Sequence, residues 1–252
     1  VTAPFFLVEA DALRRDVGAI VSITGADGRH AATVKRLAVG EPVLVGDGQG
    51  RVVDGVVAEV VGRDRVDVRV SAYAEIPAPT PRLVVVQALP KGERAELSVE
   101  LLTEVGVDVV VPWSASRSIA QWRGEKAARG VEKWAVTARE AAKQSRRPWV
   151  PEIRPLASTV QVCALLRSSV DAGGTAIVLH EAASLRMASM RIPTSGDVVL
   201  VVGPEGGITD DERAALEQAG ALSARLGPTV LRTSTAGAVA AAVVLAACSR
   251  WD

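Results

Sequence analysis

The sequence predicts an α/β protein, a mostly parallel sheet with helices on both faces, preceded by a smaller β-rich unit. Three observations carry that expectation. From residue 82 onward, near-continuous Val/Leu/Ile runs alternate with helical segments, the pattern of strands covered on both faces. Residues 1–76 hold short β-branched runs separated by glycine and charge. Between the two, Pro77, Pro79 and Pro81 stiffen residues 77–81 and exclude both a helix and a central strand.

In the first unit, residues 20–23, 42–46, 51–60 and 65–71 read as strands, and one or two helical turns are expected around residues 30–37, ending before Gly40. Gly46-Asp47-Gly48-Gln49-Gly50 has a Gly-x-Gly spacing, but a strand follows it rather than a helix, so it reads as a hairpin turn. In the second unit the expected strands are residues 83–89, 107–112, 176–179, 198–202 and 222–226. Helices are expected at 93–105, with Leu97, Leu101 and Leu102 on one face, and at 125–145, 160–170, 210–219 and 235–249. The last of these is almost entirely Ala and Val and has no polar side, so it must be covered all round; a core position or an oligomer interface would each do that.

Composition narrows the function. With 29 basic and 29 acidic residues the net charge is zero, which argues against a protein that coats nucleic acid nonspecifically. The balance is uneven, because from Arg117 to Arg154 ten basic residues face four acidic ones. On the 125–145 helix, Arg139, Lys143 and Arg146 or Arg147 fall at neighbouring helical positions and make a candidate phosphate-contacting face. Trp134, Ala138, Ala141 and Ala142 fall on another face, toward the core. Lys35 and Arg36 are candidates to extend the basic patch. The two cysteines, Cys163 and Cys248, read as buried thiols of a reducing compartment rather than a disulfide or metal framework, and no metal is expected. The longest apolar stretch, residues 236–248, falls short of the roughly 20 residues of a membrane span, and no secretory signal is evident. A cytoplasmic protein without a membrane role is expected.

Two loops carry the chemistry. The first, Val202-Gly203-Pro204-Glu205-Gly206-Gly207, follows a valine-rich strand. It leads into Thr209-Asp210-Asp211-Glu212, a capping box with Thr209 as N-cap. Its glycines let main chain approach a ligand closely, offering amides and carbonyls to a flat heterocycle. The second, Leu226-Gly227-Pro228-Thr229-Val230-Leu231-Arg232, runs into the hydroxyls Thr233, Ser234 and Thr235, any of which suits the cap of the last helix. Arg232 is the one charge in this run; a guanidinium there pairs with a carboxylate such as Glu205, or binds a substrate phosphate or an anionic base. Neither loop has a phosphate-binding spacing, and no Gly-x-Gly-x-x-Gly opens a helix, which disfavours a dinucleotide enzyme.

These motifs resemble, in order and across the chain, the RsmE family of SPOUT-class RNA methyltransferases. The resemblance rests on Gly203-Pro204-Glu205-Gly206-Gly207, on Leu226-Gly227-Pro228 with Val230-Leu231-Arg232-Thr233, and on His30 to Arg36 as a His-x-x-x-Val-x-Arg element. It extends to Asp47-Gly48, to Lys91-Gly92-Glu93-Arg94 with Glu104-x-Gly106-Val107, and to Ala141-Ala142-Lys143-Gln144-Ser145-Arg146-Arg147. Thr229 and Ser234 depart from the commoner pattern, which has Arg and Glu there.

The resemblance implies methylation of N3 of a uridine in 16S ribosomal RNA of the small subunit, with S-adenosylmethionine as cofactor. It implies that residues 82–252 form a SPOUT-type parallel sheet with a C-terminal trefoil knot, and residues 1–76 a PUA-like β-barrel that helps hold RNA. Leu179-His180-Glu181, the Gly203–Gly207 loop and the segment from Leu226 to Thr235 would hold the cofactor, His180 through a backbone or ribose contact. A homodimer packed through the knot region would cover the apolar last helix. Uridine N3 reacts only after losing its proton, so the site needs a base or a cation that stabilises the anion. Arg232 is the candidate cation, and the pattern assigns no base. The competing readings are a noncatalytic RNA-binding protein and a SPOUT enzyme acting on a ribose 2′-hydroxyl of another RNA.

Overall fold

A computed structural model of the chain describes residues 3–251. These fall into two compact units, one running up to Ala78 and including Ala142–Val150, the other Pro79–Ala141 with the chain from Pro151 onward.

The first unit is built on a five-stranded sheet of order β1-β3-β4-β5-β2, comprising β1 (Phe5–Leu7), β2 (Ile20–Ile23), β3 (Pro42–Gly46), β4 (Arg51–Val61) and β5 (Arg65–Glu75). Alternation decides which side is buried: Val43 and Val45, and Val66, Val68 and Val70, point into one core with Phe6, Val21, Ile23 and Val53. The Asp47–Gly50 turn joins β3 and β4 as an antiparallel hairpin, as its glycine spacing predicts. Gly48 and Gly50 take φ +75° and +93°, and Val150 and Trp149 crowd the positions a Cβ would occupy there. The segment after the long helix is stitched to this turn, the Val150 amide donating to Gly48 O and the Gly50 amide to Pro148 O, both at 2.9 Å. Among the described residues the ladder does not close β1 onto β2. The expected turns near residues 30–37 begin earlier, as helix α1 (Gly25–Arg29) continued by a π turn over His30–Val34. Strand β1 was not expected; Phe5-Phe6-Leu7 is too short to show a period, but all three are buried against β3.

The second unit is a six-stranded, wholly parallel sheet of order β11-β9-β10-β6-β7-β8. Its strands are β6 (Arg82–Ala88), β7 (Val109–Trp113), β8 (Glu152–Ile153), β9 (Thr175–Leu179), β10 (Asp197–Val202) and β11 (Leu222–Ala224). Period-two alternation splits the apolar strands between two cores. Leu83 and Val85 pack with α2 (Arg94–Val105), α3 (Glu125–Gln144) and α6 (Thr233–Ala247). Val84, Val86 and Ala88 pack on the other face with α4 (Thr159–Asp171) and α5 (Asp210–Gln218). Each fully buried Val or Leu contributes about 1.5–3 kcal/mol over an exposed one, so these strands are held from both sides.

The strand order reverses between β6 and β10. From β6 the chain turns by way of α2 to β7 on one side; from β10 it turns by way of α5, past β9, to β11 on the other. In open parallel sheets the crevice at the carboxyl ends of two such strands is where ligands bind. Here those ends are Gln87 and Val202, which are register partners.

Two helices differ from expectation. On α2 the buried face is Ser98, Val99, Leu102 and Thr103, whereas Leu97 is 42% exposed. The face is set by α6, where a Cβ on Gly237 would lie 3.1 Å from Leu102 Cδ2. Helix α6 starts at Thr233, with the Arg232 backbone as N-cap and no side-chain cap, so none of the three hydroxyls caps it. Within one chain it buries Gly237, Ala240, Ala241, Val244 and Leu245, but Val239 is 42% exposed and Ala246 and Ala247 are exposed. It is therefore not covered on all sides by its own chain.

Candidate active site

The loop after β10 is shaped by its glycines. A Cβ on Gly203 would lie 2.7 Å from Ile208 Cγ1, because the chain folds back so that Ile208 covers it. The Gly207 amide donates to Pro204 O at 2.9 Å, closing the turn with Gly207 at φ +74°. Pro204 is buried, while Glu205 and Gly206 are exposed. Two other segments hold the exposed part. The Lys91 amide, just past β6, donates to Glu205 Oε1 at 3.1 Å. From beyond β7, Arg117 Nη1 donates to Gly206 O at 3.3 Å.

Thr209 and Glu212 form the capping box that the spacing predicts at the start of α5. Glu212 does more than cap. Its buried carboxylate also accepts from the Ser116 amide at 2.9 Å and the Thr159 hydroxyl at 3.0 Å, joining α5 to the loop after β7 and to α4. Burial pushes its pKa up, but the bonds from Ser116, Thr209 and Thr159 outweigh burial and hold it below the ordinary carboxylate value.

The second loop leaves β11, on the far side of β9 from the first, and leads into α6. Residues 227–232 are exposed, while Thr233 and Ser234 are buried in the first turn of α6. The Thr235 and Ala236 amides donate to Arg232 O at 2.9 Å, and no side chain caps the Thr233 and Ser234 amides that precede them. Thr235 Oγ1 turns back to donate to Arg232 O at 3.1 Å. The Arg232 guanidinium is exposed and makes no ion pair among the described residues. Among the described residues Arg232 does not pair with Glu205, whose Oε1 accepts from the Lys91 amide.

A buried glutamine lies below both loops. Gln87 at the end of β6 is fully buried; its Nε2 donates to Ala88 O at 3.0 Å and to Thr233 O at 3.4 Å. Its Oε1 is buried without a partner, 3.3 Å from where a Cβ on Gly237 would sit. After β9, Leu179 and His180 are half-buried and Glu181 is exposed. The His180 amide donates to Ala224 O at 3.0 Å, extending the β9–β11 ladder, and its Nδ1 accepts from the Ala182 amide at 3.2 Å. The three predicted loops thus leave adjacent strands β11, β9 and β10 at the same end of one sheet.

The basic residues separate more than the pattern predicts. Lys35, Arg36 and Arg146 are exposed, Arg139 and Arg147 half-buried. Lys143 must be corrected as a phosphate contact: it is buried in an ion pair with Asp27, itself buried. Helix α3 also stops at Gln144, with Arg146 at φ +54° and the Arg147 amide donating to Ala142 O, so Arg146 and Arg147 do not continue the Arg139 face. Trp134, Ala138, Ala141 and Ala142 are buried as their spacing predicts.

Gln87, the contacts of Lys91 and Arg117 with the first loop, and the second task of Glu212 were not read from the sequence. Gln87 did leave a signal, as the lone polar residue in Leu83-Val84-Val85-Val86-Gln87-Ala88-Leu89. Among the described residues no group of three or more His, Cys, Asp or Glu is placed to hold a metal ion, and no helix is long and apolar enough to cross a membrane.

Comparison with known proteins agrees with this geometry. Residues 77–245 match an RNA methyltransferase domain family, and residues 23–71 an RNA methyltransferase PUA domain family. The chain is 46% identical over 237 residues to ribosomal RNA small subunit methyltransferase E of Mycobacterium bovis, covering 94% of this chain and 90% of that one. It is 29% identical to the Bacillus subtilis protein of the same name, over 85% of each. Among solved structures, a methyltransferase of Legionella pneumophila in complex with S-adenosylmethionine superposes with TM-score 0.83 at 27% identity, covering 98% of each chain.

Proposed function

Because the chain belongs to the ribosomal RNA small subunit methyltransferase E family, we propose that it transfers a methyl group from S-adenosylmethionine to N3 of a uridine in 16S ribosomal RNA. One observation carries the assignment of the site: the uncapped start of α6 and the Gly203–Gly207 loop meet over Gln87 at the reversal point of the sheet. The residues fit this cofactor. The exposed segment from Gly227 to Arg232 and the uncapped Thr233 and Ser234 amides suit a neutral heterocycle, and nothing lies within 4 Å of where a Cβ on Gly227 would point.

When bound, S-adenosylmethionine supplies a methyl group on an electrophilic sulfonium. The chain's residues do the rest. Leu179, His180 and Glu181, Val202 to Gly207, and Leu226, Gly227, Leu231, Thr233, Ser234 and Thr235 form the cofactor cradle. Gln87 ties the Thr233 carbonyl to the sheet and so sets where the second loop enters its helix. Arg232, which pairs with no carboxylate among the described residues, stabilises the N3 anion of the uridine once its proton has passed to solvent.

The functional division runs 1–76, 77–81 and 82–252, with Lys35 and Arg36 of the PUA-like unit taking RNA phosphates together with Arg139, Arg146 and Arg147. The family matches at 23–71 and 77–245 support that division. A trefoil knot is supported by the path from edge strand β11 back to α6, which packs on α2 behind β6 and β10, while residues near Arg186 pair with Arg225. The apolar residues that α6 leaves exposed support a homodimer. An enzyme of this kind works on ribosomal RNA in the cytoplasm. Calorimetric titration with S-adenosylmethionine tests the site: saturable binding that Gly203→Ala weakens is expected, and absence of binding would leave only a noncatalytic RNA-binding protein.

A further inference from the structure

The Gly203–Gly207 loop is gripped by a residue that comes from two strands away. A Cβ on Gly206 would lie 3.0 Å from Arg117 Cβ and 3.1 Å from Arg117 O, so the residue is a glycine where Arg117 lies against it. Arg117 Nη1 donates to Gly206 O at 3.3 Å. The backbone on either side is anchored, the Ser116 amide by Glu212 Oε1 at 2.9 Å and the Ser118 amide by Ala115 O at 3.0 Å. Ser118 is buried. The guanidinium itself is exposed and has no carboxylate partner among the described residues. Holding a loop does not require a charge; an uncompensated planar cation fixed at the mouth of a site is suited to an anionic oxygen.

Two anionic oxygens are available to such a site, an RNA phosphate and the carboxylate of the cofactor. The sheet order sets Arg117 away from two of the three cofactor segments, those that follow β9 and β11. Arg117 follows β7 and reaches the loop from the β6–β7 side, whereas the segment from Leu226 to Thr235 follows β11 on the opposite side of β10. We propose that Arg117 contacts the RNA substrate, its guanidinium taking a backbone phosphate beside the target uridine while Gly206 O holds it in place. This rests on the functional reading above.

The test compares the full-length protein with Arg117→Ala and Arg117→Lys, measuring affinity for small ribosomal subunits against salt, turnover and S-adenosylmethionine affinity. Arg117→Ala is expected to weaken subunit binding about tenfold, to reduce the salt slope by about one, and to leave cofactor affinity within about twofold. Arg117→Lys keeps the slope and recovers part of the affinity, since the charge remains but the planar fork is lost. A purely structural grip on Gly206 would lower cofactor affinity and leave the slope unchanged; that result, or no effect at all, overturns the proposal. Wild-type turnover in the same buffer tests the functional reading separately. An inert wild type fails that reading while the salt slope still decides the contact, and an active wild type with an unaltered Arg117→Ala slope fails this inference alone.

Discussion

Glu212 and Ser116, 96 residues apart, are joined by a 2.9 Å hydrogen bond from the Ser116 amide to the Glu212 carboxylate. That bond connects the helix that follows the first active-site loop to the strand end that presents Arg117. Because hydrogen bonds hold the Glu212 pKa below its ordinary value, its ionised form stabilises the fold. The contribution is complete above the unfolded pKa of about 4.3 and is lost as pH falls through the lower folded value. Thermal melts from pH 7 down to pH 3 are expected to show a steeper acid loss for wild type than for Glu212→Gln. Glu212→Ala leaves several buried donors without an acceptor and is expected to cost on the order of 3 kcal/mol at neutral pH.

Lys143 and Asp27 make a buried pair, so losing Lys143 takes a charged partner from the buried Asp27 carboxylate. Lys143→Met is expected to destabilise the protein by about 3–5 kcal/mol, measured by urea unfolding. The double change Lys143→Met with Asp27→Leu should recover much of that loss. At a temperature where the single variant stays folded, the salt slope of RNA binding should not change, because Lys143 does not reach phosphate.

Two glycines separate packing from ligand approach. Gly203→Ala places a Cβ 2.7 Å from Ile208 and is expected to lower both the melting temperature and cofactor affinity. Gly227 has nothing within 4 Å and no positive φ, so Gly227→Ala should leave the melting temperature unchanged. Calorimetry should still show weaker S-adenosylmethionine binding if main chain at Gly227 lies against the cofactor.

Arg232→Ala removes a charge that pairs with no carboxylate among the described residues. Turnover is expected to fall by about 10²–10³, the usual loss for one transition-state-stabilising group, with cofactor affinity within about twofold. Unchanged turnover would remove Arg232 from the reaction.

The local patterns were legible. Apolar runs named the strands of the parallel sheet, the Thr209–Glu212 spacing named a helix start, and glycine placement named the two loops. What local pattern does not encode is a contact between distant segments. Helical spacing put Lys143 beside Arg139 but carried no sign of Asp27, 116 residues earlier, which buries it. Arg117 on Gly206 and Gln87 on Thr233 span 89 and 146 residues, so each looked like an isolated residue in the sequence. The start of α6 differs for another reason: Thr233 and Ser234 suit a cap by type, but Arg232 takes that position and its carbonyl accepts from the Thr235 and Ala236 amides.

The account is tested most directly by the position of the transferred methyl group. Small ribosomal subunits are incubated with the protein and methyl-labelled S-adenosylmethionine, and the 16S RNA is digested and examined by mass spectrometry. The account predicts label in 3-methyluridine and its loss with Arg232→Ala. Label on a ribose 2′-oxygen, or none in 16S RNA from a protein that binds the cofactor, would contradict it.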